Sequence, residues 1–487
     1  VFTGSLPSTA ILAILPEILL LVLAVLILAV EFLLKPQNRR MLGWITAGGL
    51  GLILVISLAV AHPDGAPEAV WGGMLRYDWL GFTFGMLFLF GAAITALFAI
   101  DQEQLGKRGD FYLLLLASTI GMSLMASAGD LVMLYLSIET TSIPLYVLAG
   151  FMTRDPKSTE SGFKYLLFGA MTSAIMLYGF SLLYGFTGTT DLKDIALNLV
   201  QGQTNPMLTL GILLLILVGF GFKISAVPFH FWAPDVYEGA PTPVAGFLST
   251  ASKAAGFSVL LRVLMTVFPS ATGTMGYWSG LIAIISVASM TLGNTLAIAQ
   301  KNIKRLLAYS SIAHAGYALI GVVAISSLGV SSVVFYLIAY LVANLAAFGI
   351  VMTIWRVIGS DEISAYAGLS RRAPFLSLSL LIALLSLAGI PPMGGFIGKF
   401  IVFAAAVNAQ MYWLAIIGVL NSVIGLYYYM IVLKVVYLYR SDDDNKPIPI
   451  PRPYGLALFT LTIGMILIGT LFAPWFNWAT QAAAAMF

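Results

Sequence analysis

Cysteine is absent from this 487-residue chain, which excludes a thiolate-held iron–sulfur cluster or a Cys zinc site within it. Histidine is scarce: His62, His230 and His314 are scattered, and a haem or metal centre built on them is not supported. Charge is scarce too, at 9% of residues, and no soluble domain of useful size fits between the apolar runs. The net charge of +3 offers nothing for nucleic-acid binding. What remains is 60% hydrophobic, the composition of a polytopic membrane protein in a lipid bilayer.

A helical span needs about 20 apolar residues, and the sequence reads as an all-α chain of fourteen such spans, the first near Val22 and the last near Ile463. The first is too long for a signal-peptide core and lacks a basic start and a cleavage site, so it is expected to stay as a helix. Val1 stands where a methionine would, so the numbering need not begin at an initiator. The spans group as a three-helix segment over 1–110, five-helix sets over 111–266 and 276–440, and a carboxy-terminal helix over 453–487.

Basic residues orient this map. With the amino terminus outside, one set of loops carries Lys35, Arg39, Arg40, Lys107, Arg108, Arg154, Lys157, Lys164, Lys301, Lys304, Arg305, Arg356, Arg371, Arg372, Arg440, Lys446 and Arg452; the opposite loops hold only Arg76, Lys193 and Arg262. The positive-inside rule then puts both termini on the non-cytoplasmic side. Lys223, Lys253, Lys399 and Lys434 are left inside spans. Lys434 lies near a span end and can snorkel. The other three need a functional reason, since a lysine in hydrocarbon costs about 2.5–3.5 kcal/mol on insertion scales.

The two sets of five share an order. An odd number of helices inverts the second set relative to the first, and each set has a proline-broken helix in fourth place. Pro228 breaks the seventh span beside Lys223; Pro391-Pro392 with Gly394-Gly395 breaks the twelfth beside Lys399. Breaks free backbone carbonyls to hold water, so Lys399 is expected to face a polar pocket and not lipid. A carboxylate can also load and release a proton, so Lys399→Glu reads as a milder change than a neutral one.

Glu139 lies deep in the fifth span, where an ionised carboxylate needs a partner or a proton. His314, in the tenth, suits a proton relay because its titration range is close to neutrality. Glu31 precedes Lys35 by four residues, the spacing of a local helical pair. Glu17 follows Pro16 and reads as a helix-start residue. Asp130 reads as a turn or cap residue, and Asp442-Asp443-Asp444 as a solvated loop run.

Four stretches carry a family resemblance: Phe222-Lys-Ile-Ser-Ala-Val-Pro-Phe-His230 with its continuation to Lys253; the Glu139 segment ending in Pro144-Leu-Tyr; Ala308-Tyr-Ser-Ser-Ile-Ala-His-Ala-Gly-Tyr317; and Gly389-Ile-Pro-Pro-Met-Gly-Gly-Phe-Ile-Gly-Lys399. They resemble the antiporter-like membrane subunits of bacterial respiratory complex I, the proton-pumping NADH:quinone oxidoreductase, and among these the N type. The likeness runs from Pro16-Glu17 to the fourteenth span. Lys399 is unlike the M type, where glutamate is usual, and the short end after the last span is unlike the L type. The resemblance implies a non-redox subunit with one proton channel in the bacterial inner membrane. Glu139 and Lys223 would be its coupled acid–base pair, Lys253 the connecting lysine, Lys399 the exit-side lysine and His314 a relay between them. Burial disfavours the ammonium and a nearby carboxylate favours it, so separating Glu139 from Lys223 would release a proton. The resemblance also implies L-, M-, K-, J-, A- and H-type membrane partners and a hydrophilic arm, with FMN, iron–sulfur clusters and quinone held in other subunits and no cofactor here. An Mrp-type sodium/proton antiporter subunit is the alternative reading, and a structural membrane scaffold a more distant one.

Overall fold

The computed structural model describes residues 8–202, 205–268, 273–441, 443 and 446–486; the Asp442-Asp443-Asp444 run lies largely outside the described residues. Among the described residues thirteen helices are long and apolar enough to cross a membrane. In a bilayer the backbone must satisfy its own hydrogen bonds, which is why apolar runs of this length become helices. The spans are Leu15–Leu33, Met41–Val60, Trp79–Ala99, Gly109–Ser127, Leu131–Ala149, Pro156–Thr187, Pro206–Lys223, Thr242–Val267, Met275–Ile298, Ile303–Val323, Ser327–Ile358, Tyr412–Leu438 and Arg452–Thr470. The shorter helices Pro374–Ala388 and Gly394–Asn408 are the two parts of the broken twelfth span. With them the fourteen-span reading holds.

Helix ends follow local chemistry. Asp78 accepts from Gly81 N at 2.9 Å, Asp130 from Val132 N at 2.7 Å, Asp155 from Lys157 N at 3.0 Å and Asn302 from Lys304 N at 2.8 Å. Each satisfies an amide that the helix start leaves free. Asp130 is thus the cap residue that its position suggested.

Burial sorts the spans into rings. The eighth and eleventh are 100% buried over their apolar windows and the tenth 94%, whereas the first is 28% and the second 33% buried. These three spans therefore form a protein-lined centre in which polar side chains are kept from lipid. Within each set of five the first two spans form a close hairpin. A side chain at Gly121 would strike the backbone of Thr141, and one at Gly293 that of Ala313.

The loops gather on two faces as the charge map requires. On one, Lys157 pairs with Glu238 at 2.9 Å, Lys164 with Asp235 at 2.6 Å, Arg305 with both acids at 2.8 and 3.0 Å, and Lys304 with Asp361 at 3.1 Å. On the other, a two-stranded ribbon, Glu68–Val70 with Leu75–Tyr77, brings Arg76 to within 3.5 Å of Asp78.

Several readings need correction. Arg262 is not a loop charge: it is fully buried near the end of the eighth span and pairs with Asp78 at 2.8 Å. Glu31 does not pair with Lys35. It accepts from Gly109 N at 3.0 Å and lies 3.8 Å from Arg39. The carboxy-terminal segment is two helices, Arg452–Thr470 and Phe472–Ala484, the second packing Phe476 against Phe335 and Trp478 against Phe82. An extra helix, Leu192–Gln201, lies between the sixth and seventh spans.

Candidate functional site

Lys223 is the last residue of its helix, where the unpaired carbonyls of a helix end favour a cation. The chain then breaks: Ser225 takes φ +58 and helix resumes only at Trp232. A side-chain residue held in the left-handed region is strained backbone of the kind that gathers at functional sites. Lys223 is buried, and its Nζ donates to Ser142 Oγ at 2.8 Å. Ser142 follows Glu139 by three residues on the fifth span, so the two share a helix face. Glu139 instead accepts from Ser173 of the sixth span. Acid and lysine thus each bond a serine and do not form an ion pair with each other among the described residues. A cavity of ≈ 10 Å³ is lined by Ser142, Ser173, Tyr146 and Lys223, room for about one water molecule.

The stem of Lys223 packs on Gly256, one turn beyond Lys253; a Cβ there would come within 3.1 Å of Lys223 Cγ and 2.7 Å of Ile224 Cγ2. Lys253 follows a π-helical turn, Leu248–Ser252, of the sort that often re-aims a side chain at functional sites. It is 1% exposed and donates to the carbonyl of Ser311 at 2.6 Å and to its hydroxyl at 2.5 Å. Tyr237 lies near both Ser225 and Ser311, yet its hydroxyl and that of Ser225 have no well-formed bond.

One turn along the tenth span, His314 is held by hydroxyls. Its Nδ1 meets Tyr336 OH at 2.5 Å and its Nε2 meets Tyr429 OH at 3.2 Å, and Tyr429 in turn bonds Ser310. Which nitrogen carries the proton depends on the tautomer. Tyr340 lies against the ring at 4.9 Å between centroids.

Lys399 reaches back across the twelfth-span break. Its Nζ donates to Ala388 O at 2.9 Å, the terminal carbonyl of Pro374–Ala388, and stands 4.6 Å from the centre of the Tyr317 ring. Gly389 closes that helix at φ +84, with the Lys399 stem 2.8 Å from where a Cβ would be. Only glycine suits both the turn and the contact. His314 and Lys399 line one cavity of ≈ 10 Å³ together with Tyr336, Tyr340 and Ser386. Lys399 is 5% exposed, so it is covered by protein and not by lipid.

The lysines and His314 were legible from sequence; their partners were not singled out. A signal existed, since Ser142 lies three residues from Glu139, and Ser310 and Ser311 lie four and three from His314, the spacings that share a helix face. Tyr336, Tyr340 and Tyr429 come from other spans and only the fold brings them in. Lys434 is exposed near the end of its helix, as a snorkelling lysine should be. Among the described residues no cluster of three or more His, Asp or Glu could hold a metal ion. On the basic face a vestibule of ≈ 380 Å³ opens among Asp155, Lys157, Glu238, Lys304, Asp361 and Glu362. What the arrangement can do is pass protons between titratable groups joined by hydroxyls and single waters.

Residues 128–425 match the family described as NADH:quinone oxidoreductase/Mrp antiporter, transmembrane. NADH-quinone oxidoreductase subunit N of Moorella thermoacetica is 43% identical over 473 residues, 97% of this chain and 98% of that one. A chain of respiratory complex I from Thermus thermophilus with bound aureothin superposes with a TM-score of 0.78 at 34% identity, covering 95% of this chain and 98% of that one. A chain of the Mrp complex from Dietzia sp. shares the fold, with a TM-score of 0.85 at 20% identity over 98% of this chain and 97% of that one.

Proposed function

The chain belongs to the NADH:quinone oxidoreductase/Mrp antiporter family of membrane subunits, and from that premise we propose that it is the N-type subunit of complex I, translocating protons across the membrane coupled to electron transfer from NADH to quinone. It is a multi-span membrane subunit without redox chemistry of its own. The observation that carries the route is that Lys223, Lys253 and Lys399 are all buried while, among the described residues, each ammonium bonds neutral oxygens and forms no ion pair. A buried lysine without a counter-ion is not locked in its charged form as an ion-paired one is. Glu139 and Lys223 load the route, Lys253 connects it, His314 relays and Lys399 discharges it.

The setting follows from the same reading. The membrane is the bacterial inner membrane, with the basic face and its vestibule towards the cytoplasm and both termini away from it. L-, M-, K-, J-, A- and H-type membrane subunits and a hydrophilic arm are the partners, and FMN, iron–sulfur clusters and quinone belong to other subunits. The Mrp-type alternative has less behind it: the family takes in both kinds of subunit, but the Mrp likeness is 20% identical, against 43% for the subunit N relative.

Sodium needs several oxygen ligands, whereas lysines supply none; protons need only titratable groups. Vesicles holding the whole complex are therefore expected to acidify at the same rate in sodium-free buffer. Acidification that required sodium would overturn the assignment.

Lys399→Ala is expected to slow translocation by about tenfold or more, within the range of a lost proton-transfer group. Lys399→Glu looked milder from sequence, but the bond to Ala388 O reverses that expectation. A carboxylate there would face the negative end of a helix and could donate only while protonated. Lys399→Glu is expected to be at least as slow as Lys399→Ala, measured as initial acidification at matched amounts of complex.

A further inference from the structure

Glu17 sits in the first turn of the first span, outside both five-helix sets, and nothing in the lysine route uses it. It is the helix-start residue that its place after Pro16 suggested, and it is 6% exposed. Ser123 Oγ donates to Glu17 Oε1 at 2.5 Å, while Oε2 is buried without a partner among the described residues. That free oxygen belongs to a group lining a cavity of ≈ 20 Å³ shared with Ser123, Ser127, Arg76, Tyr77 and Asp78, enough for about one water molecule.

The charged groups around it are already engaged. Asp78 is paired with Arg262 at 2.8 Å and lies 3.5 Å from Arg76; Arg262 also donates to Ala126 O at 2.9 Å; Tyr77 donates to His62 O at 2.8 Å. No cation among the described residues reaches Glu17 as an ion pair. A bare carboxylate at this depth would be strongly disfavoured. A metal cation is disfavoured as well, because one carboxyl and two serine hydroxyls give too few oxygen ligands and two arginines stand nearby.

We propose that Glu17 is a further proton-binding site, separate from the lysine route, which exchanges its proton through this cavity with the face that carries Arg76, Asp78 and Arg262. The bond from Ser123 makes Oε1 the carbonyl oxygen, so the acidic O–H is on Oε2. The exchange is a single step: the Oε2–H bond breaks, a cavity water takes the proton, and that water passes it outward to bulk solvent. The reverse step reloads the acid.

Infrared difference spectroscopy on the whole reconstituted complex tests this without reading translocation, so it stands apart from the fate of the lysine route. The wild type is expected to show a protonated-carboxyl C=O band that shifts on transfer to D2O and disappears reversibly at high pH. Glu17→Gln is expected to lose that band. Ser123→Ala should move it to higher frequency, because the carbonyl loses its donor. The idea is overturned if Glu17→Gln leaves every carboxyl band unchanged, or if the band assigned to Glu17 neither exchanges with deuterium nor responds to pH, the behaviour of a sealed structural acid. Should Glu17→Gln fail to assemble, Glu17→Asp serves, with a shifted and still exchangeable band expected and an unshifted or non-exchanging band counting against the site.

Discussion

Lys223→Ala is expected to leave the complex assembled and to lower both translocation and coupled NADH oxidation by about tenfold or more, the scale of a lost proton-transfer group. Assembly should survive because the aromatic packing around the break does not depend on the lysine. Tyr165 stacks on Trp232 at 4.4 Å between centroids, Phe222 on Trp232 at 5.1 Å, and Trp232 Nε1 donates to Phe222 O at 3.2 Å. What alanine removes is the ammonium on Ser142 and one wall of the water-sized cavity that leads to the Ser173 and Glu139 bond. Glu139→Gln should slow translocation similarly, since an amide keeps the acceptor for Ser173 but cannot carry a proton. Glu31→Gln is the control. Its carbonyl can still accept from Gly109 N, so translocation should be close to wild type. Lys223→Ala complex that acidifies vesicles at the wild-type rate would remove this lysine from the route.

Much of this was legible because the membrane imposes strict rules on sequence. Apolar length gave the spans, prolines gave the breaks at Pro228 and Pro391-Pro392, and loop lysines and arginines gave the two faces. Lys223, Lys253, Lys399 and His314 were conspicuous because ionisable residues are rare at this depth. The illegible part was pairing. Arg262 looks like a loop charge until the fold sets Asp78, 184 residues away, against its guanidinium. Glu17 is a helix start as its sequence suggests, but only the fold sets Ser123, 106 residues on, against its carboxyl. Glu31 has a tempting helical neighbour in Lys35, but the free amide at Gly109 offers a bond that the sequence does not display. Nor could sequence show that the acid and the lysine of the first half each bond a serine. Local spacing placed Ser142 on the face of Glu139, whereas whether Lys223 meets serine or carboxylate depends on how two helices pack.

Lys253 is where the account is most exposed. It lies in a wholly buried span, and among the described residues its ammonium bonds the carbonyl and hydroxyl of Ser311. Beside Ser311, Tyr237 supplies a hydroxyl, and His314 is one turn further along the tenth span. Lys253→Met keeps much of the apolar stem and its packing while deleting the proton carrier. The decisive measurement is the initial rate of lumen acidification by vesicles containing matched amounts of assembled complex, wild type and Lys253→Met, in sodium-free buffer. The wild type should pump and the variant should fall by about tenfold or more. Pumping by the Lys253→Met complex at the wild-type rate would contradict the proposal that protons cross this subunit along its buried lysines.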